Sequence, residues 1–193
     1  AEYSKSKFSI VVNSATSALH IACKALSVGP GDLVWTSANT FAASSNCALY
    51  CGANVDFVDI DPETYNISIE ALTNKLEIAK KNKRLPQVII PVHLCGQSCD
   101  MRSIHELSKK FGFKIIEDAS HAIGGLYFKN KIGSCKFSDI TVFSFHPVKI
   151  ITTGEGGAAT TNNKNLKFKM NMLKSHGINK DEKFFKKRKH GEW

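Results

Sequence analysis

Short β-branched runs alternate with longer amphipathic stretches along most of the chain, and this alternation sets the first expectation for the fold. The strand candidates are "FSIVV" (8–12), "LVWT" (33–36), "VDFVDI" (55–60), "QVIIPV" (87–92), "KIIED" (114–118), "ITVFSF" (140–145) and "GGAATT" (156–161). Helical periodicity fills the intervals 15–27, 41–51, 68–82 and 101–112. Strands that alternate with helices predict an α/β fold, here a mostly parallel mixed sheet of seven strands with flanking helices. Only a short connection separates 140–145 from 156–161, which predicts one antiparallel strand beside the parallel set.

Nothing along the chain divides it. There is no internal repeat, low-complexity segment or linker, and 193 residues at 42% hydrophobic and 22% charged are enough for one domain with a sizeable core. No apolar run approaches the ~18 residues that cross a bilayer, and the opening "AEYSKSKFSIVV" lacks the layout of a signal peptide. A cytoplasmic location and no membrane partner are the expectation. Six cysteines in mostly apolar or small-residue surroundings are then expected as reduced thiols. Cys47/Cys51 and Cys95/Cys99 have a spacing that zinc ligands use, but the first pair lies in "FAASSNCALYCG", which reads as continuous helix. Neither pair has the tight turn that presents two thiolates to one ion, so buried small hydrophobes are the better reading.

The net charge of +9 suggests nucleic acid until it is located. From Lys164 to Trp193 ten Lys or Arg face three Asp or Glu, a balance of +7, whereas the first 163 residues hold sixteen against fourteen, +2. The excess belongs to a basic C-terminal segment, 164–193, with "KFFKKRKHGEW" its densest part. A solvated helix face explains it as well as phosphate contact does, and no nucleic-acid partner is expected.

In an open α/β sheet, ligands bind beyond the carboxyl ends of the parallel strands, so the residues just after each strand hold the chemistry. After the first strand, "NSATSALHIA" opens a helix with Thr16 and Ser17, whose hydroxyls and nearby N–H groups suit either helix capping or a phosphate. Phe41 follows the second strand at the start of a helix, as core packing or as a platform for a flat ring. The fifth strand ends in Glu117 and Asp118; neighbours on a strand face opposite ways, so one of the pair enters the crevice, and Asp118, at the strand's end, is the candidate. His121 lies three residues on. A metal held by Asp118 and His121 needs further ligands, and His93 and His146, the nearby options, read better as structural histidines.

Lys149 stands out most. Between Asp139 and Glu155 it is the one charged side chain of a stretch rich in Phe, Val, Ile and Thr. Apolar surroundings disfavour the ammonium form, which is what an amine needs to attack a carbonyl and hold an imine. The glycines of "TTGEGG" would let backbone approach a bulky group. A phosphate site, a ring platform, a carboxylate and an imine-forming amine, in that order, describe a pocket for pyridoxal 5′-phosphate, with no metal.

The motifs "NSATSALH", "TSANTFAAS", "VDIDPETYNI", "PVHLCGQSCDM", "EDASHAIGG", "FSFHPVK" and "TTGEGGA" together resemble the pyridoxal-phosphate-dependent sugar aminotransferases of the DegT/DnrJ/EryC1/StrS group. They cover most of Val11 to Thr161 in family order. The last two are most similar to the subgroup of UDP-4-amino-4,6-dideoxy-N-acetyl-altrosamine transaminases, which aminate a UDP-linked keto sugar. The resemblance implies the aspartate-aminotransferase-like (type I) fold. It also implies Lys149 as the lysine that bonds the cofactor and shuttles the proton, Asp118 facing the pyridine nitrogen, and His121 beside the ring. Phe41 takes the stacking place, and Thr16, Ser17 and Ser144 the phosphate contacts; Ser144 comes from the resemblance alone. It implies further an amino group taken from an amino acid, usually glutamate, and delivered to a nucleotide-linked keto sugar, in a homodimer whose partner completes the site.

Complete members of that group carry an N-terminal arm and a C-terminal small domain. The chain reads as the cofactor-binding large-domain core, 1–193, without either. A second reading, from another class, is a non-catalytic fragment that retains fold, dimerisation or cofactor binding alone.

Overall fold

The computed structural model describes residues 1–178. In chain order the elements are β1 (Phe8–Val12), α1 (Ala15–Ala25), β2 (Leu33–Ser37), α2 (Ala43–Leu49), β3 (Asn54–Val58), α3 (Ile69–Lys81) and β4 (Val88–Ile90). A 3₁₀ turn (Leu94–Gly96) follows, then α4 (Met101–Phe111), β5 (Lys114–Asp118), β6 (Leu126–Tyr127), β7 (Asn130–Lys131), β8 (Ile140–Ser144), β9 (Gly157–Thr161) and α5 (Lys164–Leu173).

Seven strands form one sheet in the order β1-β9-β8-β5-β4-β2-β3. Only β9 runs against its neighbours: it is antiparallel to both β1 and β8, while the pairs β8·β5, β5·β4, β4·β2 and β2·β3 are parallel. The sequence expectation of one antiparallel strand holds, and it lies inside the sheet between β1 and β8. All five residues of both β8 and β9 are buried, as expected for strands covered on two faces.

Alternation along the central strands divides the core in two. Ile90 and Ile116 pack with Leu19, Ala22 and Cys47 beneath α1 and α2, whereas Ile89 and Ile115, one residue earlier, pack with Leu72, Leu76 and Ile104 beneath α3 and α4. The helices start where side chains satisfy their free N–H groups: Ser14 caps α1, Ser68 caps α3, Asp100 caps α4 and Asn163 caps α5. α2 has no side-chain cap and is shorter than the predicted 41–51, because the chain turns out of it where the Gly52 and Ala53 N–H groups bond to Leu49 and Ala48.

The 3₁₀ turn, the β6–β7 hairpin and α5 have no counterpart among the predicted elements. The β6–β7 hairpin has strands of two residues, too short to show a period. α5 lies within the segment read only as basic; its Leu166 and Met170, spaced i and i+4, join the core beneath α1. The "KFFKKRKHGEW" part of that segment falls outside the described residues. Cys23, Cys47, Cys51, Cys99 and Cys135 are buried and Cys95 is exposed, all as free thiols. Among the described residues no group of three or more His, Cys, Asp or Glu is arranged for a metal ion, and no helix is long and apolar enough to cross a membrane.

Candidate cofactor pocket at the carboxyl ends of the strands

Because β9 is the reversed strand, the carboxyl ends of β1, β8, β5, β4 and β2 reach the same edge of the sheet, and a cavity of about 480 Å³ opens there. Gly157 opens β9 at this edge, paired with Val12 on one side and Ser144 on the other. A Cβ at Gly157 would overlap the Ser14 carbonyl and the Ala15 nitrogen. The glycine therefore lets the first turn of α1 settle onto the sheet, with its N–H groups at the cavity.

Ser14, Ala15 and Thr16 line the cavity from this helix start, and Ser144 lines it from the end of β8. Ser14 Oγ accepts the Ser17 N–H at 3.1 Å, and the Ser17 hydroxyl donates to Asn13 Oδ1 at 2.7 Å. Ser17 thus borders a neighbouring groove with His20 and Lys174 rather than the main cavity. The remaining N–H groups of the first turn have no partner inside the helix, and with the helix dipole they favour an anion.

The two carboxylates at the end of β5 face opposite ways. Glu117, on the face of Ile115, is buried and accepts hydrogen bonds from Ser138, from Thr141 at 3.0 Å and from His93 Nε2 at 2.9 Å. Burial alone would raise its carboxyl group, but these donors outweigh it and hold the group below its ordinary value. His93, fully buried, accepts the Cys99 N–H on Nδ1 at 3.2 Å, which makes it a structural residue rather than a ligand.

Asp118, on the other face, lines the cavity. Its Oδ2 accepts the Ser44 hydroxyl at 2.7 Å, and its Oδ1 accepts both the Ser120 N–H at 3.1 Å and the Ser120 hydroxyl at 2.6 Å. Thr40 donates in turn to Ser44 at 2.8 Å, so a chain of hydroxyls from the start of α2 fixes the carboxylate. Ser120 and Ser44 were not among the expected residues. Ser120, two positions after an aspartate, fits the local turn in which Asp accepts the N–H two residues on, and was findable. Ser44 reaches Asp118 across 74 positions and carries no local signal.

The loop between β8 and β9 carries Lys149. Phe145 anchors it: its N–H donates to the Gly156 carbonyl at 2.9 Å, and its carbonyl accepts from Thr153 N–H at 3.0 Å and the Thr152 hydroxyl at 3.1 Å. Lys149 is half-buried and its Nζ lies 2.8 Å from His121 Nε2. The apolar neighbours that made this lysine conspicuous are not packed around it; Val148 is 78% exposed and Ile150 66%. Its shelter comes from the cavity wall. Burial, and next the Lys149 charge, hold the His121 imidazole below its ordinary value, with Asp118 acting the other way. Phe41, 76% exposed, stands at the rim of the same cavity, as do His146 and Glu155, whose side chains approach to 3.8 Å.

Six of the seven expected residues thus line one cavity: Thr16, Phe41, Asp118, His121, Ser144 and Lys149. A helix start with free N–H groups, a fixed carboxylate, an accessible aromatic face and a primary amine form a donor set that fits pyridoxal 5′-phosphate group by group.

Comparison with known proteins agrees. The chain is 45% identical over 177 residues to a UDP-4-amino-4,6-dideoxy-N-acetyl-β-L-altrosamine transaminase of Campylobacter jejuni, covering 92% of the chain and 45% of that protein. It is 42% identical to a GDP-perosamine synthase of Caulobacter vibrioides, over 96% of the chain and 48% of that protein. Among solved structures, PseC of Helicobacter pylori, an aminotransferase involved in pseudaminic acid biosynthesis, superposes with a TM-score of 0.83 at 36% identity, over 96% of the chain and 48% of its own. The chain spans about half the length of the curated relatives it matches. A sequence model of the DegT/DnrJ/EryC1/StrS aminotransferase family matches residues 1–192, and that family is pyridoxal-phosphate-dependent. The chain belongs to the DegT/DnrJ/EryC1/StrS aminotransferase family.

Proposed function

We propose that residues 1–193 are the cofactor-binding large-domain part of an aminotransferase that moves an amino group, from glutamate, to a nucleotide-linked 4-keto-6-deoxy sugar. The observation that carries this reading is the placement of the Lys149 amine, 2.8 Å from His121, in one cavity with Asp118 and the start of α1. The similarity to a transaminase and a synthase whose names specify nucleotide-linked amino sugars supports the substrate class.

In this reading Thr16, Ser144 and the first-turn N–H groups of α1 hold the cofactor's phosphate, with Ser17 behind them. Phe41 covers one face of the ring, and Asp118, held in place by the Ser44 and Ser120 hydroxyls, pairs with the pyridine nitrogen. Bound there, the cofactor supplies an electron sink for the carbon beside the transferred amino group. Lys149 Nζ would hold the cofactor and would carry the proton between substrate positions; His121 Nε2 is within reach to exchange a proton with it. A homodimer in the cytoplasm completes the proposal. The apolar rim, with Phe41 and Val148 exposed, supports a partner surface there.

The test is amino transfer from glutamate to a UDP-linked 4-keto-6-deoxy-N-acetylhexosamine, read as the appearance of 2-oxoglutarate. Production with the 193-residue chain supports the full proposal. Cofactor binding without turnover supports the second reading, a non-catalytic fragment that retains fold, dimerisation or cofactor binding alone. Neither binding nor turnover would overturn the full proposal and the cofactor-binding form of the second reading.

A further inference from the structure

The 3₁₀ turn at Leu94–Gly96 reaches His121 from the side opposite Lys149. Cys95 adopts φ 51°, a conformation sparsely populated by residues with a side chain, and Gly96 follows at φ 89°. A Cβ on Gly96 would lie 2.9 Å from the His121 carbonyl oxygen, so the turn is pressed against the backbone of the histidine. From this position the Cys95 N–H points at His121 Nδ1, at 3.3 Å.

A backbone N–H only donates, so Nδ1 must accept. A neutral imidazole has one donor and one acceptor nitrogen, and an accepting Nδ1 leaves the proton on Nε2, the nitrogen 2.8 Å from Lys149 Nζ. We propose that the Cys95 backbone amide is a positioning group that sets His121 in its Nε2–H tautomer, so that the ring turns a donor, not an acceptor, toward Lys149 Nζ. The opposite arrangement, an ammonium donating to Nε2, needs the ring proton on Nδ1, where the Cys95 N–H already points. The turn thus selects the ring form that presents a donor at Nε2. Asp118, which lines the same cavity, favours a charged ring and opposes this selection; His146 and Glu155 are the other ionisable groups lining the cavity.

The use of this contact in catalysis rests on the reading of Lys149 as the covalent anchor, but the tautomer itself does not. The test is long-range ¹H–¹⁵N correlation spectroscopy on the full chain with ¹⁵N-labelled histidine, near neutral pH and without cofactor. His121 is assigned by the signal lost in His121→Gln. The expected pattern is an unprotonated Nδ1 and a protonated Nε2. Gly96→Ala, which drives the turn away from His121, is expected to lose the preference, and Cys95→Gly, which keeps the N–H and suits the positive φ, to retain it. A wild-type His121 with its proton on Nδ1, or divided equally, would overturn the proposal, as would an unchanged pattern in Gly96→Ala. Should Gly96→Ala not fold, the wild-type and Cys95→Gly spectra decide. Failure of pyridoxal phosphate to attach to Lys149, measured separately, would overturn the functional reading and leave the tautomer standing.

Discussion

Adjacent carboxylates at the end of β5 have been given opposite tasks by the two-residue repeat of the strand. Glu117 is sealed into the interior with His93, Ser138 and Thr141, whereas Asp118 faces the cavity with hydroxyl donors on both oxygens. Removing the Glu117 carboxylate leaves those buried partners unsatisfied, and Glu117→Ala should cost about 3 kcal/mol, read as a lower urea midpoint at unchanged slope. A loss under about 1 kcal/mol would show the network to be dispensable. The sign of the pH effect follows from the same residues. The Glu117 carboxyl group is held below its ordinary value of 4.5 and the His121 ring below 6.5 in the folded chain, so the unfolded chain binds more protons in acid. Stability from both is present above these unfolded values and is lost as pH falls, His121 first and Glu117 further down. The urea midpoint should therefore decline from about pH 6.5 and more steeply below about pH 4.5; a midpoint constant to pH 4 would contradict it.

At the level of elements, the pocket depends on α1 resting against Gly157. Gly157→Ala forces a methyl group into the Ser14–Ala15 backbone and should cost about 2 kcal/mol while weakening phosphate-dependent cofactor binding, measured by calorimetry. Ser14→Ala removes the cap alone and should cost about 1 kcal/mol. If both variants bind cofactor as the unaltered chain does, the helix start is not the phosphate site. This scale also shows what the sequence made legible. The seven strands announced themselves because β-branched runs such as "KIIED" and "ITVFSF" are bounded by turn residues, and Lys149 because it is a lone charge among apolar residues. α5 was hidden because its two core residues, Leu166 and Met170, are outnumbered by lysines on its exposed face. Lys149 was singled out for a partly mistaken reason, since its apolar neighbours point to solvent and its contact is the polar ring of His121. Ser44 and the Cys95 amide act through tertiary contacts that no local spacing records.

For the whole molecule, a single reversed strand brings five strand ends, two helix starts and one loop to the same edge of the sheet, and the amine at its mouth is the claim on which the function depends. Lys149 is half-buried and Lys149→Arg should leave the urea midpoint within about 0.5 kcal/mol of the unaltered chain while removing covalent attachment. The most direct measurement is incubation with pyridoxal 5′-phosphate, borohydride reduction and peptide mass spectrometry. The account predicts a visible absorption band before reduction and the added mass on the peptide containing Lys149, absent in Lys149→Arg. Label spread over surface lysines, with Lys149 unmodified, would contradict it.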